Sequence, residues 1–284
     1  MRPSPTAAST GPVLEGREFI WTDADFERVQ SLIYKHAGIK LHDGKHAMVY
    51  SRLSRRLRDT GHNSFRDYLG WLEHSTDGPE WQEFVNALTT NLTAFFREQH
   101  HFEILATLFK SKPATTPWNV WCSASSTGEE PYSIVMTALE NLGQSPSFKL
   151  TASDIDSKVL ASAAQGIYRL ENLKGLDQGR MQKFLLRGKG DNAGLVRIKP
   201  ELRRMIDFIS VNLIRDDWPF REHFDVVFCR NVMIYFDAAT QRAVLERIHR
   251  VMKPGAMLFV GHAENFSESR DLFILRGKTS YERC

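Results

Sequence analysis

Between about residues 20 and 90, apolar positions return every three or four residues, which predicts helices and no strands. Thr22-Asp23-Ala24-Asp25 can form a capping box, and Phe26, Val29, Leu32 and Ile33 follow it as one stripe. Ser64 with Asp67 repeats the cap signal ahead of Phe65, Tyr68, Leu69 and Leu72. Pro79 suits a first helical turn, and Trp81, Phe84, Val85 and Leu88 make the next stripe. From about residue 115 the period changes. Short apolar runs at Asn119–Ala124, Lys149–Ile155, Phe224–Arg230 and Ala256–Gly261 alternate with helices starting at Glu129, Ser157 and Ala238. Strands alternating with helices predict an α/β fold, a mostly parallel Rossmann-like sheet with helices on both faces.

Residues 167 to 207 interrupt that rhythm. Leu185-Leu186-Arg187-Gly188 and Leu195-Val196-Arg197-Ile198 flank a Gly-rich turn and read as a β-hairpin, with a third strand near Ile206–Ser210. This predicts a small inserted antiparallel β-subdomain, either without a partner or with an edge open to a peptide strand. Phe273 to Tyr281 reads as a terminal hairpin that adds antiparallel edge strands. The expected organisation is a disordered tail over 1–16, a helical domain over 17–90, and an α/β domain over 91–284 that carries the insertion at about 167–207.

Composition changes this picture little. Among 284 residues, 42% are hydrophobic and 25% charged, which is ordinary for a globular protein. A net charge of +3 does not by itself imply a polyanion. Cys122, Cys229 and Cys284 are too few and too far apart for a disulfide framework or a zinc site. No metal site is expected, and the cysteines fit a reducing cytoplasm. No apolar run is long enough to span a membrane, and the Pro/Ser/Thr-rich start lacks the apolar middle of a secretion signal.

The candidate chemistry lies where strands end. Ser123-Ala124-Ser125-Ser126-Thr127-Gly128 is a turn of small residues between the first strand and its helix, so backbone can approach a ligand closely. It lacks GxGxxG, and Glu129 and Glu130 at the helix start would repel a diphosphate. The same acids could attract the ammonium and sulfonium of S-adenosylmethionine (SAM), or simply complement the helix dipole. Asp154 ends the second strand, where a carboxylate can accept both hydrogens of a ribose diol. Asp156 is expected to cap the next helix. Asn212-Leu213 could offer an amide to an adenine edge and an apolar side chain to its face. Arg230-Asn231 closes a later strand at the same crevice, and Asn231 could alternatively only cap the turn.

Five segments, in order, resemble the chemotaxis receptor methyltransferases, the CheR family. They are NALTTNLTAFFRE (Asn86–Glu98), SSTGEEPYSI (Ser125–Ile134), ASDID (Ala152–Asp156), FCRNVMIYFD (Phe228–Asp237) and GHAENF (Gly261–Phe266). The likeness runs from about residue 20 to 282. It implies a SAM-dependent protein-glutamate O-methyltransferase that acts on the cytoplasmic signalling helices of chemoreceptors and releases S-adenosylhomocysteine. By motif it implies cofactor contacts from Asn91, Thr93, Arg97, Glu129, Asp154, Asn212, Leu213, Arg230 and Asn231, with Tyr235 bordering the active site. In some family members the β-subdomain binds a peptide from the receptor C-terminus, and the hairpin here is similar in length and glycine placement.

A glutamate carboxylate, with an ordinary pKa of about 4.3, is already ionised at neutral pH and needs no general base. Arg97 could hold that carboxylate, or the cofactor's own, through bidentate hydrogen bonds. Too strong a clamp would stabilise the ground state as much as the transition state, so Arg97 is expected to position and not to activate. Tyr235 either donates a hydrogen bond or walls the adenosine pocket. On the helix from about Lys45 to Arg58, Val49, Leu53 and Leu57 share one side. Arg52, Arg55, Arg56 and Arg58 cover an opposite arc of about 160°, a basic face suited to acidic receptor helices or simply to solvent. Arginine patches also suit nucleic acid, which keeps RNA or DNA methylation as an alternative, but RNVMIY stands where amino-directed nucleobase methyltransferases carry an N-P-P-Y-like loop. No nucleic acid is expected as partner. A non-catalytic SAM-sensing adaptor is the other alternative.

Overall fold

A computed structural model describes residues 18–75, 78–113, 115–143 and 146–284. The tail expected over 1–16 lies outside them. The chain divides into two compact units, one ending at Thr89 and one beginning at Thr90.

Within the first unit the helices are α1 (Asp23–Ala37), α2 (His46–Thr60), α3 (Phe65–His74) and α4 (Pro79–Leu88). The Thr22 hydroxyl accepts from Asp25 N–H while the Asp25 carboxylate accepts from Thr22 N–H, so the capping box closes in both directions. Ser64 caps α3 through Asp67 N–H. The stripes meet in a core where Val29, Ile33, Leu53, Phe65, Leu69 and Phe84 are buried.

Helix α2 corrects the expected basic face. Arg52 donates from Nη1 to the carbonyls of Ala87 and Thr89 at 3.2 and 2.6 Å, where it satisfies the end of α4. Arg56 holds Glu80 bidentately, Nε to Oε1 at 2.9 Å and Nη2 to Oε2 at 2.6 Å, and Tyr68 adds a 2.8 Å bond to the same carboxylate. Glu80 is only 7% exposed, so the pair is internal and Arg56 braces the bundle. Arg58 pairs with Glu18 at 2.7 Å on the surface. Arg55 is exposed, with no charged partner among the described residues. Arg56 also meets Asp59 at 2.9 Å one turn along α2, while Glu80 and Glu18 come from other segments, which the run of residues 45–58 could not reveal.

The second unit starts with α5 (His100–Lys110) and then alternates. Strand β1 (Trp118–Cys122), helix α6 (Glu129–Asn141), strand β2 (Phe148–Asp154) and helix α7 (Ser157–Gln165) come first. β3 (Ile167–Arg169), α8 (Gln178–Phe184), β4 (Leu185–Arg187), β5 (Leu195–Ile198) and α9 (Pro200–Arg203) follow. β6 (Ile206–Ser210), β7 (Phe224–Cys229), α10 (Ala238–Val251), β8 (Met252–Val260), β9 (Phe273–Gly277) and β10 (Ser280–Arg283) complete it. The seven-stranded sheet has the order β6-β2-β1-β7-β8-β10-β9. Its first five strands are parallel, and the terminal hairpin is antiparallel. Side chains alternate across it. Val120, Cys122 and Phe228 join the cluster containing α5 and α6, whereas Trp121, Val227 and Cys229 join the cluster containing α10.

The small sheet is β3-β5-β4, antiparallel throughout. The expected hairpin is β4–β5, but its third strand is Ile167–Arg169. Ile206–Ser210 instead pairs in parallel with β2, from Leu150↔Ile206 to Asp154↔Ser210. Strand length and apolar content are alike in the two settings, and only the partner differs. The chain order reverses direction at β1, which has β2 on one side and β7 on the other. In open α/β sheets a ligand crevice lies outside the carboxyl ends of the strands at such a switch point.

Candidate functional site at the carboxyl edge of the sheet

After Cys122 the chain is tied to both neighbours. Ser123 N–H donates to the Phe228 carbonyl and Ser125 N–H to the Ser153 carbonyl, each at 2.8 Å. Ser126 takes a left-handed φ of 48° and points its N–H at Asp154 Oδ2, 2.8 Å away. Gly128 follows at φ 101°. A Cβ there would sit 2.9 Å from both the Ala163 Cβ and the Tyr168 hydroxyl, so glycine lets α6 close onto α7 and β3.

Asp154 is 8% exposed. Its second oxygen, Oδ1, accepts from Asp156 N–H at 3.0 Å. Backbone donors from Ser126, Asp156 and Ile155 thus orient the carboxylate, an acceptor-only group when ionised. Burial pushes its pKa up to about 6 against the lowering effect of the backbone donors. Asp156 caps α7 through Lys158 and Val159 N–H, as expected, and also accepts from Asn91 Nδ2 at 2.9 Å. The Asn91 carbonyl accepts from Ser126 Oγ at 2.9 Å. Asn91 therefore anchors the loop 91–98 to the floor of the crevice.

The two acids at the start of α6 part company. Glu129 is partly buried and takes only the Thr127 hydroxyl, at 2.6 Å, with no cation against it among the described residues. Burial raises its pKa. Glu130 turns inward, accepts from Cys122 Sγ at 3.3 Å, and pairs with Arg230 Nη1 at 2.6 Å. The expectation that both acids face a ligand is thus corrected, since only Glu129 offers an open carboxylate.

Arg230 is corrected in the same way. Its side chain is 1% exposed. Nη2 donates to the Arg97 carbonyl and lies 3.4 Å from Glu98 Oε2, so the guanidinium faces protein on every side and only backbone is left for a ligand. Arg97 itself sits between two left-handed residues, Phe96 at φ 51° and Glu98 at φ 57°. Its guanidinium gives one bond, to the Leu92 carbonyl at 3.0 Å, and is otherwise uncommitted among the described residues. Phe96 N–H is held by Ser133 Oγ at 3.0 Å.

Asn231, at φ 58°, belongs to a second pinned loop. Glu264 accepts from Asn231 N–H and Gly261 N–H on Oε2, at 3.0 and 2.6 Å, and from Met233 N–H on Oε1 at 2.8 Å. Asn231 Nδ2 reaches Glu98 Oε1 at 3.4 Å, which ties this loop to the first. Glu98 and Glu264 had no role assigned from sequence, although both lie in the quoted motifs. Glu264 accepts backbone donors from Asn231 and Met233, and Glu98 meets Asn231, His262 and Arg230, all distant in sequence, which nothing in local spacing signals.

The remaining candidates take quieter places. Asn212 Oδ1 closes a turn onto Ile214 N–H at 3.2 Å, and its carbonyl accepts from Trp218 Nε1 at 3.1 Å. Leu213 is buried in the cluster on the α10 face. Thr93 is partly buried, and Tyr235 is partly buried against that same cluster. Glu98, His100 and His101 offer ligand atoms within 4.8 Å of one another, but the Arg230 guanidinium beside Glu98 opposes a cation there. Cys122 and Cys229 are fully buried, and burial raises both thiols above their ordinary range, so neither is a nucleophile. A surface depression lined by Trp118, Phe148, Lys149 and Lys253 lies at the opposite ends of the strands and has no part in this site.

The Glu129 carboxylate, the buried Asp154 carboxylate, the small-residue backbone and the Arg97 guanidinium fit SAM in charge and donor chemistry. Residues 91–281 match the family described as CheR methyltransferase, SAM binding domain, and residues 24–89 match the CheR methyltransferase all-alpha domain. A chemotaxis protein methyltransferase of Klebsiella aerogenes is 52% identical over 92% of this chain and 89% of its own length. That of Escherichia coli is 49% identical over 92% and 91%. Chemotaxis protein methyltransferase 2 of Pseudomonas aeruginosa is 46% identical over 96% and 98%. With both domains matched in order and relatives this close along nearly the whole chain, the protein belongs to the CheR family of SAM-binding chemotaxis methyltransferases.

Proposed function

We propose that this protein methylates glutamate side chains on the cytoplasmic helices of a chemoreceptor, in the cytoplasm, giving glutamate methyl esters and S-adenosylhomocysteine. The observation that carries the reading is Arg97. It is a cation with one backbone bond on a pinned loop, in the same unit as the Glu129 carboxylate that no cation meets among the described residues. An acceptor carboxylate meets attraction there that a nucleobase amine does not.

SAM, when bound, supplies an electrophilic methyl group on a positively charged sulfur. Glu129 takes the cofactor's ammonium, and Asp154 takes the ribose hydroxyls. Asn212 and Leu213 serve the adenine, and Asn91, Thr93 and Asn231 shape the backbone around the cofactor. Arg230 contributes backbone only. The acceptor is ionised at neutral pH, so no residue has to remove a proton. What the chain must do is strip water from the carboxylate and aim it, with reacting atoms about 3–3.5 Å apart. Arg97 supplies the aim. A tighter clamp would stabilise the ground state as much as the transition state, which is why one arginine suffices. Tyr235 either donates to the acceptor or walls the cofactor. Residues 17–90 serve as the substrate-docking domain, with Arg55 and Arg58 as the exposed cations, and residues 91–284 as the methyltransferase domain. The outer strands β3 and β4 of the small sheet are the edges that a receptor peptide would extend.

Methyl-labelled SAM, incubated with the protein and either receptor cytoplasmic fragments or RNA, tests this reading. Base-labile label on receptor glutamates is expected. Base-stable label on RNA, or SAM binding with no transfer to receptor, would overturn it.

A further inference from the structure

We propose that Arg230 is the positioning residue of the methyl-transfer site, holding the acceptor-side Arg97 and the cofactor-side Glu129 in register through one buried guanidinium. The proposal rests on the function just described and adds the device that assembles it.

Three contacts carry the idea. Nη1 holds Glu130 at 2.6 Å, and Glu130 is the neighbour of Glu129 on the first turn of α6. Nη2 donates to the carbonyl of Arg97 itself. The same nitrogen attracts Glu98 Oε2 from 3.4 Å. The Arg97 contact falls between Phe96 and Glu98, both left-handed and neither glycine. Such residues relax unless neighbouring structure holds them. Helix α6 and loop 91–98 are separate segments that Ser133 joins through Phe96 N–H, and Arg230 is a charged side chain from a third segment that touches both. The Phe102 ring lies 5.8 Å from the guanidinium carbon and shields it from solvent. Glu98 passes the constraint on, because its Oε1 accepts from Asn231 Nδ2 and from His262 N–H at 3.3 Å. A lysine keeps the charge but lacks the planar fork that reaches a carboxylate and a carbonyl together.

A merely structural ion pair predicts something different. Replacing a buried pair with neutral groups of similar size often leaves stability intact, whereas leaving one partner alone does not. The test compares wild type, Arg230→Lys, Glu98→Gln and the double variant Arg230→Met with Glu130→Gln. Melting temperature, affinity for S-adenosylhomocysteine by calorimetry, and kcat and KM for a receptor fragment are measured for each. In variants that melt with wild type, the expected results are a kcat lower on the order of 100-fold, a receptor KM nearly unchanged, and a product affinity weaker by about tenfold. Wild-type kcat and affinity in the double variant, or in Glu98→Gln at wild-type melting temperature, would overturn the proposal. If wild type binds the product but labels no receptor, the proposed function fails, and the affinity comparison still decides the role of Arg230.

Discussion

Asp154 shows how one residue's surroundings set its chemistry. Backbone donors from Ser126, Asp156 and Ile155 orient its oxygens, and burial pushes its pKa up to about 6. The ionised form is the stronger acceptor for a diol. SAM affinity should therefore be full above that value and fall as pH drops through it. For folding the sign is opposite. The raised pKa makes ionised Asp154 a cost that is absent below the ordinary carboxylate range and fully present above about pH 6. Asp154→Ala should weaken SAM binding by roughly 10- to 100-fold for each ribose hydroxyl that loses its acceptor, since a hydrogen bond to a charged group is about 1.5–3 kcal/mol. Calorimetry across pH 5 to 8 checks both statements, and an unchanged affinity removes Asp154 from the site. Sequence sufficed to place Asp154 at a strand end, Glu129 at a helix start and Asp156 as a cap, because those positions are legible. It did not distinguish Glu129 from Glu130. Adjacent acids on a first turn look alike until the buried Arg230 on another strand selects one.

At the scale of elements, the loops 91–98 and 230–235 matter more than the helices they join. Glu264 holds the second through backbone N–H groups of Asn231, Met233 and Gly261, and Glu98 ties the first to it through Asn231 Nδ2 and His262 N–H. Gly261 shows how tight the second loop is, since a Cβ there would lie 2.2 Å from Asn231 Nδ2. Gly261→Ala should push Asn231 off Glu98 and weaken product binding several-fold, while the helical unit's hydrogen-exchange protection stays as in wild type. Protection lost in both units would mean general unfolding, not a displaced loop. Periodicity located every strand of the parallel sheet to within a residue or two at its carboxyl end. It misassigned Ile206–Ser210 to the small sheet, because a five-residue amphipathic strand carries no record of which sheet it extends. Glu98 and Glu264 escaped notice for a related reason. Their partners are distant in sequence, and a polar residue in a polar loop gives no periodic signal.

For the whole molecule, the fold class was legible because two hydrophobic periods, one helical and one strand-like, occupy different parts of the chain. The docking surface was less so. Arg56→Ala should destabilise the helical unit by about 3 kcal/mol, because Glu80 would remain buried without its cation. Arg55→Glu should leave stability and SAM affinity alone while lowering receptor methylation several-fold, with that loss shrinking as salt screens the contact. Equal loss of SAM affinity would assign Arg55 a structural role. We propose that the crevice at the ends of β1, β2 and β7 seats SAM between Glu129 and Asp154 with Arg97 at the acceptor side. A crystal structure of the protein with S-adenosylhomocysteine tests this. Ribose hydroxyls on Asp154, the amino group on Glu129, and the Arg230 guanidinium still enclosed by Glu130 and Glu98 are expected. Product bound elsewhere, or bound in the crevice without touching either carboxylate, would contradict it.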